Sequence, residues 1–304
     1  MVCYSPLKGF RCPSTGKLIA RNPYSDVFHP MVVPCGGCIG CRVTRSREWA
    51  IRSVHEASLY RNNCFLTLTY SPQFLPSHGS LEKDIFPSFM KRFRERVAGS
   101  SRAGIRVFYV GEYGEKLQRP HYHACIFNYD FPDKIAFKQD RGFTIYRSPL
   151  LEELWPFGHS AIGSLTYESA AYVARYVTKK ITGKGQLDHY LYVDASTGEC
   201  FSLLPEFSQP SLKPGIGADW FDRYWSDVYP SDFVVHKGRK FPPPRYYDKL
   251  LKIRDPDLYD AVKSKRTLDA DSRANDNTSE RLAVREQVFR SRVQRLVRNL
   301  ESEL

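Results

Sequence analysis

Apolar and polar positions alternate along three short stretches of the chain. In CFLTLTY, at 64–70, Phe65, Thr67 and Thr69 fall on one face and Leu66, Leu68 and Tyr70 on the other, which predicts a strand. IRVFYVGEY at 105–113 and HYHACIF at 121–127 predict two more. The turn-like GEKLQRP between them predicts an antiparallel hairpin. Helical spacing marks other stretches. In 42–60, Trp49, Val54 and Leu59 stand among Arg, Glu and Ser. In 86–98, Phe89, Met90, Phe93 and Val97 share a face, and Pro87 lies in the first turn. A short helix is expected at 149–155 and a longer one at 167–181, YESAAYVARYVTKKI. Strands and helices interleaved in this way predict an α+β fold with a central antiparallel sheet and packed helices.

The remaining stretches are less regular. Pro6, Pro13, Pro23, Pro30 and Pro34 predict an irregular, Cys-rich segment over 1–41. Prolines and aromatics crowd 201–254, read as an extended lobe packed on a core that spans 42–200. Residues 255–304 read as a charged linker, most polar over 264–280, followed by a basic helix at 281–300 with Leu282, Val288, Val293, Leu296 and Leu300 as its apolar marks.

Composition narrows the partners. With 45 Lys and Arg against 33 Asp and Glu, the 304-residue chain carries a formal net charge of +12, which favours nucleic acid. No stretch of about 18 apolar residues predicts a membrane span. The start, MVCYSPLKGFRCP, lacks the apolar run of a secretion signal, so a cytosolic protein with reduced thiols is expected.

His121 and His123 lie two apart on a predicted strand, so both imidazoles project from one sheet face, where two nitrogens can share a metal ion. The hairpin returns Glu112 beside them. Two imidazoles and a carboxylate leave coordination positions open, as a catalytic ion requires. Cys125, on the histidine face, and Glu115, in the turn, are rival third ligands. A thiolate would favour zinc, a carboxylate Mg²⁺ or Mn²⁺. The bland alternative is a pair of hydrogen-bonded histidines.

Tyr172 and Tyr176 are four apart on a predicted helix and share a face with Arg175 and Lys179, with Lys180 close by. Ala170, Val173, Val177 and Ile181 form the opposite, apolar side. A phenol needs a neighbouring cation or an activated electrophile to act as a nucleophile, and the cations suit a phosphate. Two tyrosines packed sideways at a core edge are the alternative.

Cys35, Cys38 and Cys41 form a C-x₂-C-x₂-C run that suits structural zinc, with a fourth ligand from Cys3, Cys12 or His29. Unliganded thiols and an iron–sulfur cluster are the other readings, the latter lacking its usual fourth cysteine after Cys41. Cys64 and Cys200 read as incidental thiols. Trp220, Phe221, Tyr224, Trp225 and Tyr229 could stack bases of a single strand, although covering a small core is the preferred reading.

Together FLTLTY at 65–70, VGEYGEKLQRPHYHACIF at 110–127 and YVARYVTKK at 172–180 resemble, in order and spacing, the HUH endonucleases. With PCGGCIGCR, ESAAYVARYV, PGIG and PPRYYDKL, the chain is more closely similar, over about 1–250, to the rolling-circle replication initiators of small single-stranded-DNA phages, the gokushovirus-like Microviridae. The resemblance implies an RRM-like palm over 42–200, with Mg²⁺ or Mn²⁺ held by His121, His123 and Glu112. It implies a tyrosine, Tyr172 or Tyr176, that attacks single-stranded origin DNA to give a 5′-phosphotyrosine and a free 3′-OH, the other tyrosine acting afterwards. Lys179 and Lys180 would assist catalysis, and Arg175 would bind DNA. Host polymerase, helicase and single-strand-binding protein would be partners, in the cytoplasm of a bacterial host. Two departures stand out. Tyr122 occupies the middle of the His pair, where a plain hydrophobic residue is usual. No phosphate-binding G-x-x-x-x-G-K-[ST] loop is present, so unwinding falls to a host helicase. The alternatives are a non-catalytic single-strand-binding or packaging protein, a relaxase or transposase of the HUH group, or a zinc-dependent hydrolase that leaves both tyrosines without a role.

Overall fold

The computed structural model of the chain describes residues 3–12, 14–19, 29–97, 104–114, 117–140, 142–176, 186–194 and 197–295. In chain order its elements are β1 (Leu7–Arg11), β2 (Leu18–Ile19), β3 (His29–Val33), α1 (Ile39–Ala57), β4 (Asn63–Thr69), α2 (Ile85–Val97), β5 (Arg106–Tyr113), β6 (Pro120–Phe127), β7 (Ile135–Asp140), β8 (Phe143–Arg147), α3 (Pro149–Leu154), β9 (Ser160–Gly163), α4 (Tyr167–Tyr176), α5 (Gln186–His189), β10 (Leu191–Val193), β11 (Cys200–Ser202), β12 (Phe207–Pro210), α6 (Ala218–Val228), β13 (Val234–His236), β14 (Arg239–Phe241), α7 (Arg245–Arg254), α8 (Pro256–Asp271) and α9 (Ser279–Gln294). They form two compact units, one of residues 46–259, the other of 1–45 with 260–304.

The larger unit is built on a seven-stranded antiparallel sheet in the order β12-β5-β6-β4-β9-β8-β7. The expected α+β architecture is present. Period-two alternation sorts the central strands into two faces. Leu66 and Leu68 of β4, with Tyr122, Ala124 and Ile126 of β6, pack with Phe86, Phe89, Met90 and Phe93 of α2 and with Trp155 in the main core. Tyr122 therefore points away from its histidine neighbours. It is fully buried, and its hydroxyl donates to the Glu82 carbonyl at 2.7 Å.

The opposite face of the sheet is covered by α4 and by α1 from Ser46 onward. Trp49 stacks on Phe108 of β5 with ring centroids 4.5 Å apart, and Ser46 Oγ donates to the Ala171 carbonyl at 3.3 Å. Ala170, Val173 and Ala174 of α4 are fully buried. Burial of one helical face drives this docking more than the modest propensity of a sequence rich in tyrosine and valine.

The 201–254 stretch is more regular than its prolines suggest. It supplies β12 to the sheet edge, the β13–β14 hairpin and the helices α6 and α7. Its prolines sit between elements or at their ends, where a missing N–H costs little. The aromatics there serve mainly as core. Trp220 stacks on His55 at 3.5 Å and on Tyr247 at 5.7 Å, while Phe221 and Tyr229 are buried. Gly217 begins α6 with φ +81, and a Cβ there would lie 2.7 Å from the Tyr247 hydroxyl, so only glycine fits. Its N–H donates at 2.7 Å to Glu56 Oε2.

Glu56 has no exposed side-chain surface, and Oε1 lies 2.5 Å from the Arg106 guanidinium. Removing one member of a buried pair strands the other charge. Glu56→Ala is accordingly expected to lower unfolding free energy by about 3 kcal/mol, measured by urea denaturation. A loss below about 1 kcal/mol, the range of an exposed pair, would show that water reaches Arg106 readily.

The smaller unit also departs from expectation in two places. Residues 7–33 are not irregular but contribute a three-stranded antiparallel sheet, β2-β1-β3. Pro30 is accommodated because β3 is an edge strand. The polar stretch read as a linker is mostly helix, since α8 runs to Asp271. Asp255 caps it by accepting the Leu258 N–H at 2.9 Å, and Pro256 stands at its first position. The expected terminal helix is α9, capped by Thr278 through the Arg281 N–H at 3.3 Å.

Candidate functional site

Strand pairing fixes the centre of the site. β5 sets Glu112 opposite His121 on β6, and β4 sets Thr67 opposite His123. These side chains share the sheet face that α4 covers. Nε2 of His121 lies 2.7 Å, and Nε2 of His123 2.9 Å, from the same oxygen of Glu112, Oε1. The three ligand atoms are within 4.8 Å of one another. Glu112 and His123 are buried, and His121 is the more exposed of the three.

The outer nitrogens of both rings are occupied. His121 Nδ1 is 3.0 Å from the Arg119 carbonyl, which can only accept, so Nδ1 carries the proton. A neutral ring then turns its Nε2 lone pair toward the Glu112 carboxylate. Two lone pairs at that distance repel unless a positive charge lies on the ring or among the three atoms. His123 Nδ1 is 3.0 Å from Thr67 Oγ1, which fixes that ring, and Phe65 stacks beside it with centroids 5.6 Å apart. Burial works against charge on Glu112, but the two ring nitrogens outweigh it and hold its carboxyl below the usual carboxylate range. Its other oxygen, Oε2, is buried with no hydrogen-bond partner among the described residues. Two converging imidazole nitrogens, a carboxylate and an orphaned acceptor fit a divalent cation, with coordination positions left open.

Of the rival ligands, Cys125 is fully buried and does not join this group of donors, and Glu115 lies outside the described residues.

Tyr172 is brought to the same place from α4. Its hydroxyl is 3.5 Å from His123 Nε2, and its ring meets the His123 ring edge-on at 4.9 Å. It packs edge-on to Phe65 as well, at 6.4 Å, and is 8% exposed. The tyrosine thus belongs to the buried arc of α4 rather than to a surface opposite the apolar one. The Arg175 guanidinium lies 5.4 Å from the Tyr172 ring centroid and sets positive charge beside the phenol. Tyr176 closes α4, its side chain outside what is described, and Lys179 and Lys180 lie outside the described residues. Thr67 and Phe65 are two site residues that the sequence marks only as strand positions. The alternation of CFLTLTY puts them on the right face, but not opposite His123.

In the smaller unit Cys3, Cys35, Cys38 and Cys41 gather their sulfurs within 4.8 Å of one another. The fourth partner of the C-x₂-C-x₂-C run is Cys3. Cys12 instead lies beside Ser14 Oγ at 3.2 Å, and the His29 side chain is not among those described. Among the described residues no helix is long and apolar enough to cross a membrane.

A family model for replication-associated proteins of the ORF2 type matches residues 63–181, the span from β4 past α4 that holds Thr67, Glu112, both histidines and both tyrosines. The chain is 34% identical over 287 residues to the replication-associated protein VP4 of Bdellovibrio phage phiMH2K, covering 90% of this chain and 86% of that protein. It belongs to the replication-associated proteins of small single-stranded-DNA phages. Another relative is the replication-associated protein ORF2 of Spiroplasma virus 4, 31% identical with 88% of this chain and 86% of the relative covered. The replication-associated protein ORF4 of Chlamydia phage 1 is 30% identical over 72% of this chain and 53% of its own length. No solved structure matches the chain. This replication-associated protein carries its tyrosines and candidate metal ligands within the family span, whereas the cysteine cluster lies outside it.

Proposed function

We propose that this replication-associated protein starts rolling-circle replication as a metal-dependent, site-specific nickase and ligase of single-stranded DNA. The observation that carries the reading is the Tyr172 hydroxyl 3.5 Å from His123 Nε2, at the rim of the Glu112–His121–His123 group. Glu112, His121 and His123 would hold Mg²⁺ or Mn²⁺, which when bound supplies Lewis-acid polarisation of the scissile phosphate. Tyr172 Oη attacks the phosphorus and loses its proton, a new P–O bond forms, and the bond to the 3′ oxygen breaks. That oxygen takes up a proton, leaving a free 3′-OH and a 5′-phosphotyrosine. One phosphodiester replaces another, so no nucleotide need be hydrolysed.

Thr67 holds the His123 ring, and Arg175 supplies positive charge beside the phenol. Tyr176, one helical turn on, is the second nucleophile that rejoins the strand after a round of synthesis, with Lys179 and Lys180 neutralising phosphate. The substrate is the single-stranded origin. The 3′-OH then primes host polymerase, with host helicase and single-strand-binding protein, in the bacterial cytoplasm.

The test uses the full-length protein, Mn²⁺ and 3′-labelled oligonucleotides tiling its own phage genome, resolved on SDS gels. A labelled band that migrates with the protein, and that EDTA abolishes, is expected. Retention of the same DNA on native gels without cleavage or adduct would overturn the proposal in favour of a non-catalytic binding protein.

A further inference from the structure

The smaller unit has little apolar core. Among the described residues of 1–45 and 260–304, the buried hydrophobic side chains are Tyr4, Cys41, Val262 and Leu282. A unit this poor in buried apolar area is marginal unless something else ties it together.

The cysteines occupy that role. Cys3 precedes β1, Cys35 and Cys38 follow β3, and Cys41 lies in the first turn of α1. The sulfurs of Cys3 and Cys35 are 3.7 Å apart, those of Cys35 and Cys41 4.0 Å, and those of Cys38 and Cys3 4.0 Å. A tetrahedral zinc with Zn–S bonds of about 2.3 Å requires sulfurs about 3.8 Å apart. An iron–sulfur cluster would need them farther apart, since each thiolate binds a different iron.

The backbone is arranged for the same purpose. The N–H groups of Tyr4, Cys35 and Cys38 point at Cys38, Cys3 and Cys35 sulfurs at 3.4, 3.3 and 3.2 Å, the kind of donor that stabilises a thiolate. Gly36, with φ +75, makes the turn between Cys35 and Cys38 that allows the last of these.

We infer that Cys3, Cys35, Cys38 and Cys41 bind one structural Zn²⁺ that serves as the missing core of this unit. Binding replaces four thiol protons with one ion and involves no redox change. All four positions are filled by sulfur, so the ion has no open site for substrate. It joins the sheet β2-β1-β3 to the C-terminal segment through Tyr4. That residue follows the ligand Cys3, and its ring lies 5.8 Å from Phe289 of α9.

The full-length protein, purified without chelator, is measured by elemental analysis and by mercurial titration of its thiols with a zinc indicator present. About one zinc per chain is expected, released as the cluster thiols react. Replacement by Co²⁺ should give the intense near-ultraviolet thiolate charge-transfer bands and visible bands of a tetrahedral site. Cys38→Ser should lower the metal content and speed tryptic cleavage within 272–280, ahead of α9. Because the Cys38→Ser chain could simply fail to fold, the zinc content of the unaltered protein decides. Colourless protein with no zinc after growth in zinc-supplemented medium, or iron and labile sulfide in its place, overturns the inference. None of these readouts depends on DNA cleavage, so they stand or fall separately from the nickase.

Discussion

A Tyr172→Phe protein is expected to fold, to bind single-stranded origin DNA and Mn²⁺ normally, and to lose first-strand cleavage by about 10³-fold or more. The substitution removes one oxygen and nothing else. The ring keeps its edge-on contacts with His123 at 4.9 Å and Phe65 at 6.4 Å, which hold α4 against the sheet. The lost contact, at 3.5 Å from His123 Nε2, is too long to contribute more than about 1 kcal/mol to stability. Chemistry and stability therefore separate at this residue. Tyr176→Phe should leave first cleavage close to normal and impair rejoining instead. Time courses with 3′-labelled oligonucleotides measure the first step, and ligation of a supplied acceptor 3′-OH measures the second. Equal loss of adduct in both single variants would assign cleavage to either tyrosine. Loss in Tyr176→Phe alone would transfer the first attack to Tyr176 and remove Tyr172 from the chemistry.

How much of this is legible in the sequence follows from how local each feature is. Glu112, His121 and His123 can be grouped because a short hairpin fixes their register: residues on one face recur every second position, and the turn brings β5 back beside β6. Thr67 cannot be paired with His123 in the same way, because that contact depends on β4 lying beside β6, a choice made by packing of the whole sheet. Tyr172 is marked by its spacing from Tyr176, but its burial depends on which arc of α4 meets the sheet, and Arg175 next to the tyrosines suggests an open face. The stretch 256–271 departs from its reading for another reason. Its polar composition resembles a linker, yet Asp255 and Pro256 form a helix start, and its Ala, Lys, Arg and Leu residues favour a helix once capped. At 7–33 the prolines outweigh the alternation of the flanking residues, although an edge strand tolerates proline.

Glu112 is the residue on which metal chemistry and fold bear most directly. Glu112→Gln preserves length and planarity but replaces half of the carboxylate with an NH₂ group. Its only remaining acceptor is neutral, and its donor faces the same space as two imidazole nitrogens. Mn²⁺ affinity is expected to fall steeply and cleavage to drop by about 10²- to 10³-fold, equal to about 3–4 kcal/mol of transition-state stabilisation. The unaltered protein should gain about 2.7 kcal/mol of stability at roughly a hundredfold excess of Mn²⁺ over its Kd, visible as a rise in melting temperature, and the variant should gain much less. The signal of free Mn²⁺ in electron paramagnetic resonance gives the affinity directly. The metal-free variant also separates the two uses of the carboxylate. If Glu112 served only to pair with protonated histidines, Glu112→Gln would lower stability equally with and without Mn²⁺, and cleavage at saturating Mn²⁺ would return to the unaltered rate. A loss confined to metal affinity, metal-linked stability and cleavage identifies the Glu112–His121–His123 group as the ion's seat. An Mn²⁺ affinity unchanged by the substitution would mean that the catalytic ion binds elsewhere.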